Sequence, residues 1–427
     1  MPKKLRCKFL QQDKDKCLQC AFTEREPGKS PNSCNNFIEV PTINTLLSEK
    51  EKAEHNSYLE EIKNKVKEKQ ATLVLGAGIS KPAGLPGWFE LISQLFGYAM
   101  QISRYTSDSP IDSSQQAHQI ALESDLINGK LTIFESGNVL EAGQYITQML
   151  ESSLGNKRGE EMLKETISFI IHKGHRAFDL DGAKRSSIDR LKRSQAKKDS
   201  LRAVAYLLQT KNGFRRAITY NYDTLVEDCL IDLFKIESNQ VISHPGEWNT
   251  IMQEEISDPI NIYHVHGCLP RREYQNDPKF LGLKESKRII LSEDSYYRAE
   301  QHESYNWMNS IQSYYLNRDT CVFVGFSADD YNFRRILRQL GMDNQSQKGT
   351  PKHYLILTID DLVKELWHNV CRNNLGVKNI KSKEIYTQVI LLLQKQLEIK
   401  REYWKRYNFF PIWVTVKDIP KTLLSVV

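Results

Sequence analysis

The sequence has no run of eighteen apolar residues, so it offers no segment long enough to cross a bilayer as a helix. Its first residues, Met1 to Arg6, are charged and lack the apolar stretch of a secretory signal. A cytoplasmic protein without a membrane partner is therefore expected. Internal repeats and low-complexity tracts are missing as well, and 40% hydrophobic with 26% charged residues excludes a disordered or fibrous chain in favour of a globular one. A distributed excess of positive charge is also absent. The net charge of +6 equals that of one stretch, in which eight Lys and Arg residues between Lys184 and Arg202 face only Asp189 and Asp199. The remainder is near neutral, so global charge does not point to nucleic acid. A solvated face is the simpler reading of the stretch, and a contact surface is the alternative.

What is present begins with cysteine. Of eight cysteines, Cys7, Cys17, Cys20 and Cys34 crowd into the first 34 residues among Lys, Asp, Pro and Ser. In a reducing compartment such spacing is read for metal before disulfides. A segment this small has little core of its own, and four thiolates are what a tetrahedral structural zinc requires. The spacing is not a paired CxxC…CxxC, which leaves an iron–sulfur cluster and unliganded thiols open beside a zinc knuckle. Residues 1–45 are accordingly taken as a cysteine-rich segment and 46–427 as the main domain, although 427 residues also allow two or three domain-sized units.

The pattern of the main domain is α/β. Leu59, Ile62 and Val66 recur at helical steps in a charged stretch, which then gives way to the apolar run Ala71 to Leu75. That run opens into Gly76-Ala77-Gly78, the sign of a buried parallel strand entering a tight turn. Further strands are expected at Ala217 to Tyr220, Ile260 to Val265, Arg288 to Leu291, Thr320 to Phe326, His353 to Leu357 and Pro411 to Val416. Most are separated by enough residues for a crossover helix. The economical solution is a Rossmann-like, mainly parallel sheet with helices on both faces, a helical insertion at about 101–203 and a C-terminal helical addition at about 359–406.

In such a sheet the ligand lies at the carboxyl ends of the strands, so the residues following each apolar run carry the chemistry. After the first run come Gly76-Ala77-Gly78-Ile79-Ser80, where missing side chains let backbone N–H groups approach a pyrophosphate, or simply make a structural turn. The Pro- and Gly-rich residues Lys81 to Gly87 then form a loop over the site before a helix resumes at Trp88. After the second run stand Asn221 and Asp223; either they face a ligand, or Asp223 or Thr224 caps the next helix. After the third stands His266 beside Gly267, where a packed histidine is the commoner role.

Together, Gly-Ala-Gly-Ile-Ser (76–80), Asn-x-Asp (221–223), His-Gly (266–267) and Gly-Phe-Ser (325–327) resemble the sirtuin family motif by motif, over about residues 71 to 335. The resemblance implies NAD+ as substrate, with Gly76, Ala77, Gly78 and Ser80 at its phosphates. It implies that Asn221 positions the nicotinamide ribose or a water, that Asp223 orients the nicotinamide amide, and that His266 acts on a ribose hydroxyl. Gly325 and Ser327 would lie near the adenosine half, with Asp329 or Asp330 as neighbours. Two departures bear on the reaction: the zinc ribbon that protein-deacylating sirtuins insert after the His-Gly pair is absent, and Gly-Trp-Phe replaces the end of the cofactor loop. Both are similar to sirtuin-like proteins of bacterial antiphage systems, which hydrolyse NAD+ to nicotinamide and ADP-ribose. The expectation is an NAD+ glycohydrolase of abortive infection, a homo-oligomer or a protein controlled by a partner ATPase or nuclease. The alternatives are an NAD-dependent protein deacylase, a non-catalytic NAD or ADP-ribose sensor, and a nucleic-acid module built on the basic stretch.

Overall fold

The apolar run Ala71–Leu75 is buried at all five positions in the computed structural model of the chain, as a strand covered on both faces must be. The structure describes residues 41–105, 139–173, 200–237, 240–244, 259–270, 285–286, 289–292, 295, 303–326, 330–341, 349–360, 362–363, 366 and 382–427. Cys7, Cys17, Cys20, Cys34, Ser327, Asp329 and the basic stretch up to residue 199 lie outside the described residues.

The chain runs α1 (Ile43–Leu46), α2 (Glu49–Lys67), β1 (Ala71–Leu75), α3 (Trp88–Tyr105), α4 (Val139–Leu154), α5 (Asn156–Lys173), α6 (Ser200–Gln209), β2 (Arg216–Thr219) and α7 (Leu225–Asp228). It continues with β3 (Val241–His244), β4 (Ile260–His264), α8 (Glu303–Arg318), β5 (Thr320–Val324), α9 (Tyr331–Gln339), β6 (His353–Thr358), α10 (Ser382–Lys405), β7 (Phe409–Val414) and α11 (Ile419–Leu424). The strands form one seven-stranded sheet in the order β3-β4-β2-β1-β5-β6-β7. It is parallel throughout, which gives the Rossmann-like class.

Six of the seven strands fall on the expected runs, within a residue or two of their ends. The expected strand at Arg288 to Leu291 is a correction: Ile289, Ile290 and Leu291 have no place in the sheet. Instead Ile290 N–H donates to the His266 carbonyl at 2.9 Å, and the Tyr222 hydroxyl donates to the Ile290 carbonyl at 2.6 Å. Helix α4 presses on the same segment at Gly143, where a Cβ would stand 2.5 Å from the Leu291 carbonyl oxygen. The run is apolar because it is a buried connection, and its backbone partners come from the loops around the strand tips. The seventh strand is β3, four residues at the edge, too short to be separated from a loop by periodicity.

A polar anchor fixes the foot of the sheet. Arg216, the first residue of β2, donates to the Lys69 carbonyl at 2.7 Å and to Asp319 at 2.8 Å, and the Thr72 hydroxyl donates to the same carboxylate at 2.7 Å. Because Asp319 is fully buried, this charge depends on those donors.

Contacts divide the chain into two units. The larger, residues 58–357, 406–412 and 417–427, holds β1 to β5, the mutually packed helices α3, α4 and α5, and α11 against α6. In the smaller, residues 1–57, 358–405 and 413–416, α1 packs on α10. There Ser48 and Glu51 cap each other at the start of α2, and Glu51 also pairs with Arg401 of α10.

Candidate active site

The strands β5, β1, β2 and β4 are neighbours, and their last paired residues form a single row: Val324, Leu75, Thr219 and His264. Two residues beyond that row stand Phe326, Ala77, Asn221 and His266. Four motifs far apart in sequence thus leave the sheet at one level. The strand order also reverses here, since the chain moves outward from β1 through β2 and β4 and returns to the other side of β1 at β5. A parallel sheet binds its ligands in the crevice at such a point.

The glycines of the first turn serve close packing. A Cβ on Gly76 would stand 2.6 Å from the Gly325 carbonyl oxygen, and one on Gly78 would stand 2.7 Å from the Gly325 Cα. Gly325 itself has φ +64°, a conformation that costs any residue with a side chain. The N–H groups of Gly76 and Gly78 are spent on the carbonyls of Val324 and Gly325, at 3.1 and 2.8 Å, and those of Ile79 and Ser80 on Gly76 and Ala77. Among the described residues, the Ala77 N–H is the donor this turn leaves for a ligand. The turn therefore joins β1 to β5 first, and the backbone approach to a phosphate is narrower than the glycine pattern alone implies.

Asn221, Ser80 and Asp223 form one buried hydrogen-bonded chain. The Asn221 amide donates to the Gly76 carbonyl at 3.3 Å and to Ser80 Oγ at 3.1 Å, and Ser80 Oγ donates to Asp223 at 3.1 Å. With both N–H bonds of the amide engaged, its oxygen is the group presented to a water or a hydroxyl. Asp223 also accepts from the Leu225 N–H at 3.1 Å, so the same carboxylate braces the start of α7, whose N-cap Thr224 makes no side-chain cap bond. Burial raises the Asp223 pKa, and the bonds from Leu225 and Ser80 offset part of that rise.

His266 is buried among aromatics. Its ring meets Tyr220 edge-on at 4.9 Å and Trp88, the half-buried first residue of α3, at 6.4 Å. Trp88 also reaches Tyr222 at 6.1 Å, so one indole touches the segments that follow both β2 and β4. The Nε2 atom of His266 lies 3.6 Å from a carboxylate oxygen of Asp330, whose other oxygen caps α9 by accepting from the Phe333 N–H at 2.8 Å. Burial lowers the His266 pKa, and Asp330 works against that shift. Burial thus favours the uncharged ring, the form able to accept a proton.

Gly76, Ala77, Ser80, Asn221, Asp223 and His266 consequently gather at one end of the sheet, with Gly325 across the turn. Asp330 reaches the His266 side of the site, a partnership no spacing in the sequence announces, because it depends on where α9 begins in space. Trp88, which the sequence offers as the start of a helix and as part of the altered end of the cofactor loop, also lies against the ring of His266. Among the described residues, no group of three His, Cys, Asp or Glu is arranged to hold a metal. The zinc expected at the N-terminal cysteines concerns residues outside that set.

This arrangement defines a Rossmann-like α/β domain with a buried polar cluster at the switch point of a parallel sheet. More particularly, residues 215–380 match the family model of the SIR2-like domain, a likeness consistent with the sirtuin resemblance and supporting a sirtuin-related, NAD-using function. A search of curated proteins finds no match.

Proposed function

We propose that the protein is an NAD+ glycohydrolase that splits the bond between nicotinamide and ribose, with water as the acceptor. The observation that carries this reading is the common level of Asn221, His266 and the Gly76–Ser80 turn, tied together by the Asn221–Ser80–Asp223 chain. As the glycosidic bond lengthens, positive charge develops on the ribose. The fixed dipole of the Asn221 amide, held by its bonds to Gly76 and Ser80, favours that state. His266, in the uncharged form that burial favours, takes a proton from the ribose hydroxyl or the attacking water.

Hydrolysis is preferred to deacylation because of the chain that follows His266-Gly267. It contains no cysteine between Cys268 and Cys321, so a paired CxxC ribbon cannot form there. Cys268 itself is bonded to Ser286, with Cys268 N–H donating to Ser286 Oγ at 2.7 Å and Ser286 N–H to the Cys268 carbonyl at 2.9 Å. We read the protein further as an effector of bacterial antiphage defence, held in check by self-assembly or by a partner ATPase or nuclease, since uncontrolled NAD+ cleavage would exhaust its host.

The direct test incubates the purified chain with NAD+, with and without an acyl-lysine peptide, and measures nicotinamide and ADP-ribose. Peptide-independent release is expected; release only with peptide would establish the deacylase instead. Asn221→Ala and His266→Ala should each lower turnover by about 10²-fold or more. Wild-type rates in both would overturn the site assignment.

A further inference from the structure

Directly beneath the site lies a second buried polar cluster that the proposed chemistry leaves unused. His264, the last residue of β4, is fully buried. Its Nε2 lies 2.7 Å from Glu227 Oε1 and its Nδ1 lies 3.2 Å from the main-chain carbonyl oxygen of Asn221. A carbonyl only accepts hydrogen bonds, and so does a carboxylate. A neutral imidazole has one N–H and would set a bare lone pair against one of these oxygens; the doubly protonated ring satisfies both. Glu227 is equally buried, and the same oxygen accepts from Ser243 Oγ of β3 at 3.1 Å.

We propose that His264 is a positioning residue in its imidazolium form, clamped between Glu227 and the Asn221 carbonyl so that the chain leaving β2 presents the Asn221 side chain to Ser80 and Gly76. The ionisable groups acting on the ring are Glu227 from α7, Cys268 beyond its own strand and Asp223 from the loop after β2. Burial works against the charged ring, and the Glu227 carboxylate 2.7 Å away outweighs it, holding its pKa well above the ordinary imidazole value; burial raises the pKa of the Cys268 thiol, which therefore adds a hydrogen-bonding partner rather than a charge. The two histidines of His264-Val265-His266 thereby divide the work: one is held charged under the floor of the site, the other uncharged at its surface.

The catalytic consequence rests on the NAD+-cleaving reading, whereas the ring's charge does not. With 15N-labelled histidine in the full chain, both ring nitrogens of His264, assigned by their loss in His264→Gln, should be protonated at pH 8. In Glu227→Gln, which preserves shape and an acceptor oxygen, the ring should be neutral at that pH. Backbone amides of residues 219–225 should then exchange faster with solvent, and kcat for nicotinamide release from NAD+ should fall about 10²-fold with a smaller change in KM, as for a displaced reacting group. His264→Lys, which restores a cation beside Glu227, should recover more activity than His264→Leu. A neutral His264 in the unmodified protein at pH 7 overturns the charged clamp; unchanged exchange and kcat in Glu227→Gln overturn the positioning role. If the intact chain releases no nicotinamide, the function fails, and the ring nitrogens with the amide exchange still decide this proposal. If Glu227→Gln does not fold, His264→Lys and His264→Leu decide positioning.

Discussion

Asp330 gives His266 a property that neither residue has alone. The imidazole must be uncharged to accept a proton, and burial favours this by lowering its pKa below the ordinary value of 6.5, while the carboxylate beside it limits how far it falls. The acid limb of kcat/KM for NAD+ is therefore expected below pH 6.5. Replacing Asp330 by Asn removes the influence that raises the pKa, so the limb should move to lower pH; movement to higher pH, or none, would count against the pair. Asn also caps helices well, which keeps the start of α9 intact. At this scale the sequence was informative where a polar residue followed an apolar run, as at Asn221, Asp223 and His266. It offered Asp330 only as a neighbour of the adenosine half, through the resemblance, and was silent on its pairing with His266 and on Glu227, because these partners are set by the packing of helices on the far side of a crossover.

Among elements, the turn after β1 packs directly on the turn after β5, through the Gly76 and Gly78 N–H bonds to Val324 and Gly325. Gly325→Ala places a Cβ 2.5 Å from the Ile79 nitrogen on a backbone with φ +64°. The left-handed conformation alone costs roughly 1–2 kcal/mol, and the clash adds to it. Chemical denaturation should reveal that loss, together with weaker NAD+ binding as the two turns separate. A variant as stable as the parent would mean that the turns are not locked together. Element identities were legible wherever burial on both faces wrote a continuous apolar run, as in β1 and β5. They were not at Ile289–Leu291 and β3, because an apolar connection and a short edge strand carry the same local signal.

For the whole molecule, buried histidines tie stability to pH. His353, at the start of β6, is fully buried against Phe409, and burial pushes its pKa down from 6.5 to about 3. The unfolded chain takes up a proton there that the folded chain refuses, so stability falls as pH drops below 6.5, by about 1.4 kcal/mol per unit from this one residue. His264 has the opposite sign: its contribution is full below 6.5 and is lost as pH rises through its raised folded value. Thermal unfolding of His353→Gln should show a shallower loss of midpoint between pH 6 and pH 4 than the parent; parallel curves would remove His353 as the cause. No helix among the described residues is long and apolar enough to cross a membrane. The parallel, doubly covered sheet was readable from the sequence as a whole, since apolar runs spaced for crossover helices leave few other solutions.

The Arg216–Asp319 anchor has a consequence at the opposite end of the molecule. Ala217, Ile218 and Thr219 are all buried, so sliding β2 by one residue would trade one hidden side chain for the next and meet little hydrophobic resistance. The grip on Lys69, Thr72 and Asp319 resists that slide, because any shift strands a buried carboxylate. It acts as a vernier for the sheet: a reading frame set at the bottom edge decides which atoms are in range of one another at the top.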